Sequence, residues 1–71
     1  MVFHISYRVT SLDGQWKDFC EYWFTQRQPT KNIVQGYWNY IGSGYRVSNL
    51  FAYEARAQTR ENTKAIVCME V

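Results

Sequence analysis

The stretch from Ser11 to Pro29, SLDGQWKDFCEYWFTQRQP, decides which fold the sequence predicts. Its apolar residues recur at spacings of four, three, one, three and one, which places them on one stripe of a helix with about 3.6 residues per turn. The members of this stripe are Leu12, Trp16, Phe19, Cys20, Trp23 and Phe24. An alternating strand fits less well, because either face would mix tryptophan with aspartate, lysine or glutamate. We therefore expect an aromatic helix from Leu12 to about Gln26 whose apolar stripe forms the core.

The ends of this predicted helix carry recognisable signals. Ser11 is a suitable N-cap, because its hydroxyl can accept a hydrogen bond from a free amide of the first turn. Gly14 costs about 1 kcal/mol relative to alanine in a helix interior, so a start at an Asp13 cap, after an Asp-Gly turn, is the alternative. Pro29 forces the residue before it out of helical geometry, and the helix should therefore end before Gln28.

Length and composition limit the class of protein. Seventy-one residues predict a single domain, residues 1–71, and the 46% hydrophobic and 18% aromatic content is too high for a disordered chain. The net charge of +2 is mild for a nucleic-acid-binding protein. No apolar run reaches the length of a membrane span and no signal peptide is recognisable, so we expect a cytoplasmic protein without a membrane partner. Cys20 and Cys68 are expected to be buried thiols rather than a disulfide or a zinc site.

Three strands are predicted around the helix. Val2 to Thr10 alternates strictly, with Phe3, Ile5, Tyr7 and Val9 on the apolar face. Ile33 to Gly42 is predicted to be a second strand that is apolar on both faces. A hairpin turn at Gly42-Ser43-Gly44 should lead into a third strand from Tyr45 to Ala57, with a bulge at Ser48-Asn49.

The last segment, Thr59 to Val71, has two interpretations. As a helix it would be capped by Thr59, and as a strand it would pair with the third strand after a turn at Arg60 to Thr63. The resulting fold class is α+β. We expect two layers, an antiparallel sheet with the aromatic helix across one face, in the order β-α-β-β followed by a C-terminal helix or strand.

The run from Phe51 to Ala65, FAYEARAQTRENTKA, predicts a strand that ends in a Ser/Thr cap and opens a helix. This unit resembles one found in small phage-encoded inhibitors of the anti-CRISPR type and in the phage inhibitor of bacterial RNA polymerase. The resemblance covers about a fifth of the chain and assigns no functional residue. It implies a protein of the host cytoplasm that binds and blocks a larger protein or nucleoprotein complex.

Few residues point to catalysis. His4 lies on the polar face of the first predicted strand and is expected to be an ordinary surface residue, because no motif places a serine, cysteine or aspartate beside it. Asp18 and Glu21 could in principle hold a cation, but we expect them to lie on the solvated face of an amphipathic helix, with Lys17 nearby. Gly42-Ser43-Gly44 lacks the following Lys-Ser/Thr of a phosphate loop. We expect no catalytic, cofactor-binding or metal-binding residues, and no enzyme.

A group of aromatic and basic residues is the most plausible binding site. If a single helical layer covers one face of the sheet, half of the aromatics of the second predicted strand face outward. They must then be covered by the C-terminal segment, by a second copy of the chain in a homodimer, or by a partner. The predicted partner-binding residues are Tyr37, Trp38, Tyr40, Tyr45, Arg46, Arg8 and Arg56.

Two hypotheses for the function follow from this group. The first is a non-enzymatic inhibitor or adaptor that binds protein through the aromatic anchors. The second is a module for single-stranded nucleic acid, in which bases stack on sheet aromatics while arginines contact phosphates.

Overall fold

The computed structural model describes residues 1–55 and 66–68. Their order is strand β1 (Val2–Thr10), strand β2 (Trp16–Phe24), helix α1 (Lys31–Ile41), strand β3 (Arg46–Glu54) and strand β4 (Ile66–Cys68). The fold is α+β, with a three-stranded antiparallel sheet in the order β2-β1-β3 and one helix. The short β4 adds to this sheet parallel to β2, opposite Tyr22 to Phe24.

The predicted helix from Leu12 to Gln26 is wrong, because most of this stretch is β2. Strands β1 and β2 form a ladder nine residues long, from Val2 opposite Phe24 to Thr10 opposite Trp16. The turn between them contains Gly14 at φ +85, and the amide of Ser11 donates to the Gln15 carbonyl at 2.8 Å. The Asp-Gly pair therefore closes a β-hairpin. A complete ladder with the strongly alternating β1 satisfies the backbone of both segments at once.

The predicted strand from Ile33 to Gly42 is also wrong, because this segment lies in α1. Thr30 is the N-cap, and its hydroxyl accepts a hydrogen bond from the Ile33 amide at 3.4 Å. At the other end the Gly42 amide donates to the carbonyl of Trp38 at 3.0 Å. A strand here would be apolar on both faces, whereas a helix collects its apolar residues on one side. The side that packs on the core contains Ile33, Val34, Tyr37 and Trp38.

The third predicted strand is confirmed as β3, and so is its bulge. Gly44 has φ +86 two residues before the strand, but it connects α1 to β3, so the predicted hairpin turn between two strands at Gly42-Ser43-Gly44 is wrong. Asn49 has φ 56, and the register against β1 shifts between Ser6 and Arg8, where Ser6 faces Phe51 and Arg8 faces Ser48. The strand ends at Glu54, so its predicted continuation into Ala55 is wrong, and the predicted residues Arg56 and Ala57 lie outside the described residues.

Two glutamine side chains cover the outer edge of β3. The carboxamide of Gln35 donates to the Tyr45 carbonyl at 2.7 Å and accepts from the Val47 amide at 2.8 Å. Gln28 donates to the Ala52 carbonyl at 3.1 Å. Backbone groups that a further strand would need are therefore already bonded, which disfavours edge-to-edge pairing with another chain.

The core lies between α1 and one face of the sheet. The predicted apolar face of β1 is confirmed, and Trp23 is fully buried as predicted, although on a strand. Residues of this core are Phe3, Ile5, Tyr7, Val9, Trp23, Val34 and Val47. The β-α-β-β order is thus corrected to β-β-α-β, while the layer of one helix on one side of the sheet is retained.

Of the C-terminal segment, Ile66–Cys68 forms β4, so a helix through these three residues is wrong. The remainder of the predicted Thr59 to Val71 element lies outside the described residues. No helix within residues 1–55 and 66–68 has the length and apolar character needed to cross a membrane.

Candidate binding surface

The face of the sheet opposite α1, here called the open face, is built by residues that alternate with those of the core. Along β1, β2 and β3, none of the elements within the described ranges packs across it. The strand register brings together His4, Ser6, Arg8, Thr10, Trp16, Asp18, Cys20, Tyr22, Arg46, Ser48, Phe51 and Tyr53. This face combines side chains from three strands that are distant in sequence.

Large aromatic side chains are exposed on the open face. Phe51 is 65% exposed, Trp16 58% and Tyr53 50%. The rings of Phe51 and Tyr53 contact each other edge to face, with centroids 6.0 Å apart. Isolated exposed apolar side chains are common, but a pair of touching rings on a flat sheet is a candidate contact surface.

An ion pair orders the polar part of the open face. The guanidinium of Arg8 donates to both carboxylate oxygens of Asp18, at 2.8 and 3.3 Å, and its Cζ lies 3.7 Å from the centroid of the Trp16 ring. The hydrogen bond from Arg8 lowers the pKa of Asp18. Because guanidinium, carboxylate and indole fix one another, this end of the surface is held in one arrangement.

His4 and Cys20 form a contact that the sequence did not predict. The Cys20 sulfur lies 3.0 Å from His4 Nε2, whereas the imidazole contacts Tyr22 and Tyr53 with centroids 5.1 and 5.2 Å away. His4 lies on the polar face of β1 as predicted and is half-buried there, whereas Cys20 is exposed, so the prediction that its thiol is buried is wrong. The Nδ1 atom of His4 is buried and has no hydrogen-bond partner within the described part of the chain.

A polar network fixes the aromatic residues of the opposite, core face. Tyr7 donates to Glu21 at 2.5 Å, Trp23 Nε1 donates to the same carboxylate at 3.2 Å, and Trp38 Nε1 donates to the Tyr7 hydroxyl at 3.1 Å. Burial, followed by the hydrogen bond to Glu21, raises the pKa of Tyr7 well above its usual range. The solvated helix face predicted for Asp18 and Glu21 is therefore wrong, because the two carboxylates lie on opposite faces of β2.

The predicted partner-binding residues are divided between several places. Tyr37 and Trp38 are half-buried against the core. Tyr40 is 91% exposed near the end of α1, and Tyr45 is 36% exposed beside Trp38, with ring centroids 5.3 Å apart. Arg8 and Arg46 lie on the open face. Arg56 lies outside the described residues.

An open cavity of about 380 Å³ is lined by residues of the β1–β2 hairpin, by α1 and by the residue before β3. Its walls include Trp16, Phe19, Lys17, Trp38 and Tyr45. It brings Trp38 and Tyr45 of the predicted group together with Trp16 and Phe19 of β2.

Sequence reasoning missed Trp16, Phe51 and Tyr53 as surface candidates. A signal for the last two was present, because Phe51 and Tyr53 share one parity of β3. Their face could be assigned only through the bulge at Asn49, which reverses the parity relative to β1. Trp16 was hidden by its assignment to a helix.

The site contains no evident ligand set for a metal. Among residues 1–55 and 66–68, no three or more His, Cys, Asp or Glu side chains converge to hold an ion. Comparison with family models, curated proteins and solved structures gives no match to this chain. The function is therefore inferred from the surface itself.

Proposed function

We propose that this chain is a non-enzymatic protein that binds a larger protein, or the protein part of a nucleoprotein complex, through its open face. The observation that carries the proposal is the exposure of Phe51, Tyr53 and Trp16 on the face that α1 leaves uncovered. Aromatic side chains of this kind provide large contact areas and are over-represented among interface hot spots. Inhibition or modulation of the partner would follow from occupying its surface.

The charges of the open face favour a protein partner. Arg8 is already neutralised by Asp18, and Arg46 adds one positive charge at the end of the surface. A partner with an apolar centre and an acidic side chain opposite Arg46 would match this distribution. The resemblance of Phe51 to Ala65 to small phage inhibitors supports the same class of function, since those proteins act by blocking a larger machine.

A single-stranded nucleic acid is the second candidate. The touching rings of Phe51 and Tyr53 could stack on bases, as aromatics do on other nucleic-acid-binding sheets. Phosphate binding, however, requires several unpaired cations, and the described open face has Arg46 besides the paired Arg8. This charge balance is the reason for placing the protein partner first.

The test compares binding by three forms of the chain. The double variant Phe51→Ser with Tyr53→Ser removes both exposed rings and should keep the melting temperature within a few degrees, since surface changes usually cost under about 0.5 kcal/mol each. We expect the double variant to fail to capture the partner from a host lysate. The protein that the wild type captures is then purified, and its binding to each form is measured directly. Tyr40→Ala is the control, because it removes an even more exposed ring, 91% exposed, near the end of α1.

Each outcome identifies which surface binds and which class of partner it binds. If Tyr40→Ala loses binding while the double variant still binds, the open-face proposal is contradicted and the site lies at the end of α1. The nucleic-acid hypothesis would be favoured if the wild type binds a single-stranded oligonucleotide, if this binding weakens steeply with added salt, and if the double variant does not bind it.

A further inference from the structure

We propose that Cys20 is a thiol–disulfide exchange site, with His4 as its base and a small polar disulfide as the co-reactant. This inference concerns covalent modification and does not depend on the identity of a binding partner. It starts from the contact of 3.0 Å between the Cys20 sulfur and His4 Nε2.

The hairpin register creates this contact. His4 lies opposite Tyr22 and Ser6 lies opposite Cys20, so His4 and Cys20 are diagonal neighbours on one face of two adjacent strands. The rings of Tyr22 and Tyr53 flank the imidazole and fix its position. Cys20 is exposed, so a reagent can approach its sulfur from the open face.

The proposed reaction is balanced within these groups. The Cys20 sulfur attacks one sulfur of the disulfide, a new S–S bond forms and the old S–S bond breaks. His4 Nε2 accepts the proton of the thiol during the attack, and this proton passes to the thiolate that leaves. No external oxidant is required, because the co-reactant is itself reduced to one thiol as Cys20 becomes oxidised.

The environment favours disulfide exchange over acyl transfer. Acyl transfer needs N–H donors aimed at a developing oxyanion above the nucleophile, whereas the amides of a sheet lie in its plane and the Cys20 side chain projects from its face. In addition, no acceptor within the described residues orients His4 Nδ1, as the third group of a catalytic triad would. Disulfide exchange places the developing negative charge on sulfur, so it needs neither N–H donors for an oxyanion nor a third group that orients the imidazole.

A cavity beside Cys20 indicates the class of disulfide. It has a volume of about 310 Å³, and besides Cys20 it is lined by Ser6, Tyr7, Arg8, Asp18, Phe19 and Asn49. Hydroxyl, amide, guanidinium and carboxylate groups suit a short peptide disulfide, whose own amides and charges need partners. Oxidised glutathione is therefore the probe of choice.

The experiment measures the rate at which oxidised glutathione modifies Cys20 at pH 7 in the reduced, full-length chain, by timed acid quench and peptide mass mapping. Mapping separates Cys20 from Cys68 without a substitution. We expect Cys20 in the native chain to react about tenfold faster than Cys20 in the same chain unfolded in urea, after correction for the effect of urea on a free thiol. His4→Phe and His4→Gln should both remove this advantage, while Gly36→Ala, a change in α1 whose added Cβ meets nothing within 4 Å, should retain it.

Two results would overturn the proposal. One is a native rate equal to or below that of the unfolded chain, and this comparison needs no variant to fold. The other is a folded His4→Gln chain with the rate of the wild type, which would show that His4 does not act as the base.

Discussion

The most direct test of the fold compares the effects of substituting two tryptophans on the same strand. Trp23 is fully buried, packs edge to face on Tyr37 with centroids 5.1 Å apart, and donates a hydrogen bond to Glu21. Trp23→Ala should cost about 3 to 5 kcal/mol, since it leaves a large cavity and deprives a half-buried carboxylate of a donor. Trp16 is 58% exposed on the other face of β2, and Trp16→Ala should cost about 1 kcal/mol, mainly by losing its contact with Arg8.

Urea unfolding followed by far-UV circular dichroism measures the difference. A gap of at least about 2 kcal/mol corresponds to a midpoint shift of about 1 to 2 M urea for so small a protein. Trp23→Phe and Trp16→Phe repeat the comparison with smaller changes, in case Trp23→Ala does not fold. Equal costs for the two positions would refute the strand, because in a helix from Leu12 to Gln26 both residues would occupy one buried stripe.

Two further predictions concern the hydroxyl of Tyr7 and the turn before β3. Because the pKa of Tyr7 is raised in the folded chain, its contribution to stability is complete below the pKa of an unfolded tyrosine, about 10, and is lost as the pH rises above it. The free energy of unfolding should therefore fall by up to about 1.4 kcal/mol per pH unit above pH 10, and denaturant titrations of Tyr7→Phe should lack this component of the slope; an identical slope in both proteins would contradict the assignment. Gly44→Ala should destabilise the chain by at least about 1 kcal/mol, because Gly44 has φ +86 and an added Cβ would lie 2.7 Å from the Leu12 side chain. Thermal melting measures the difference, and Gly36→Ala is the matched control. Gly36 lies in the middle of α1, and its added Cβ meets nothing within 4 Å.

The sequence alone determined several elements, each by a short-range rule. The strict alternation of Val2 to Thr10 defined β1 and its buried face, because side chains of a strand alternate regardless of what covers them. Gly44 marked a turn by its tolerance of positive φ, and the length of the predicted third strand indicated the bulge at Ser48-Asn49. The α+β class also followed from local pattern, whereas the helical stripe that predicted burial of Trp23 also predicted burial of Leu12 and Trp16, which are exposed.

Only the tertiary structure decided which of two ambiguous segments is the helix. The apolar residues from Leu12 to Phe24 fit a helical stripe, yet the segment is a strand because its backbone completes a nine-residue ladder with β1. Glu21 on the core side argued against a strand in isolation, but Tyr7 and Trp23 supply donors to its carboxylate, and one of these comes from another strand. The candidate sites depended on the same long-range pairing. Cys20 contacts His4, sixteen residues away in sequence, because the hairpin register places them on one face. Phe51 shares that face with Trp16 because the bulge at Asn49 sets the register of β3 against β1. No local sequence pattern encodes this alignment of three strands.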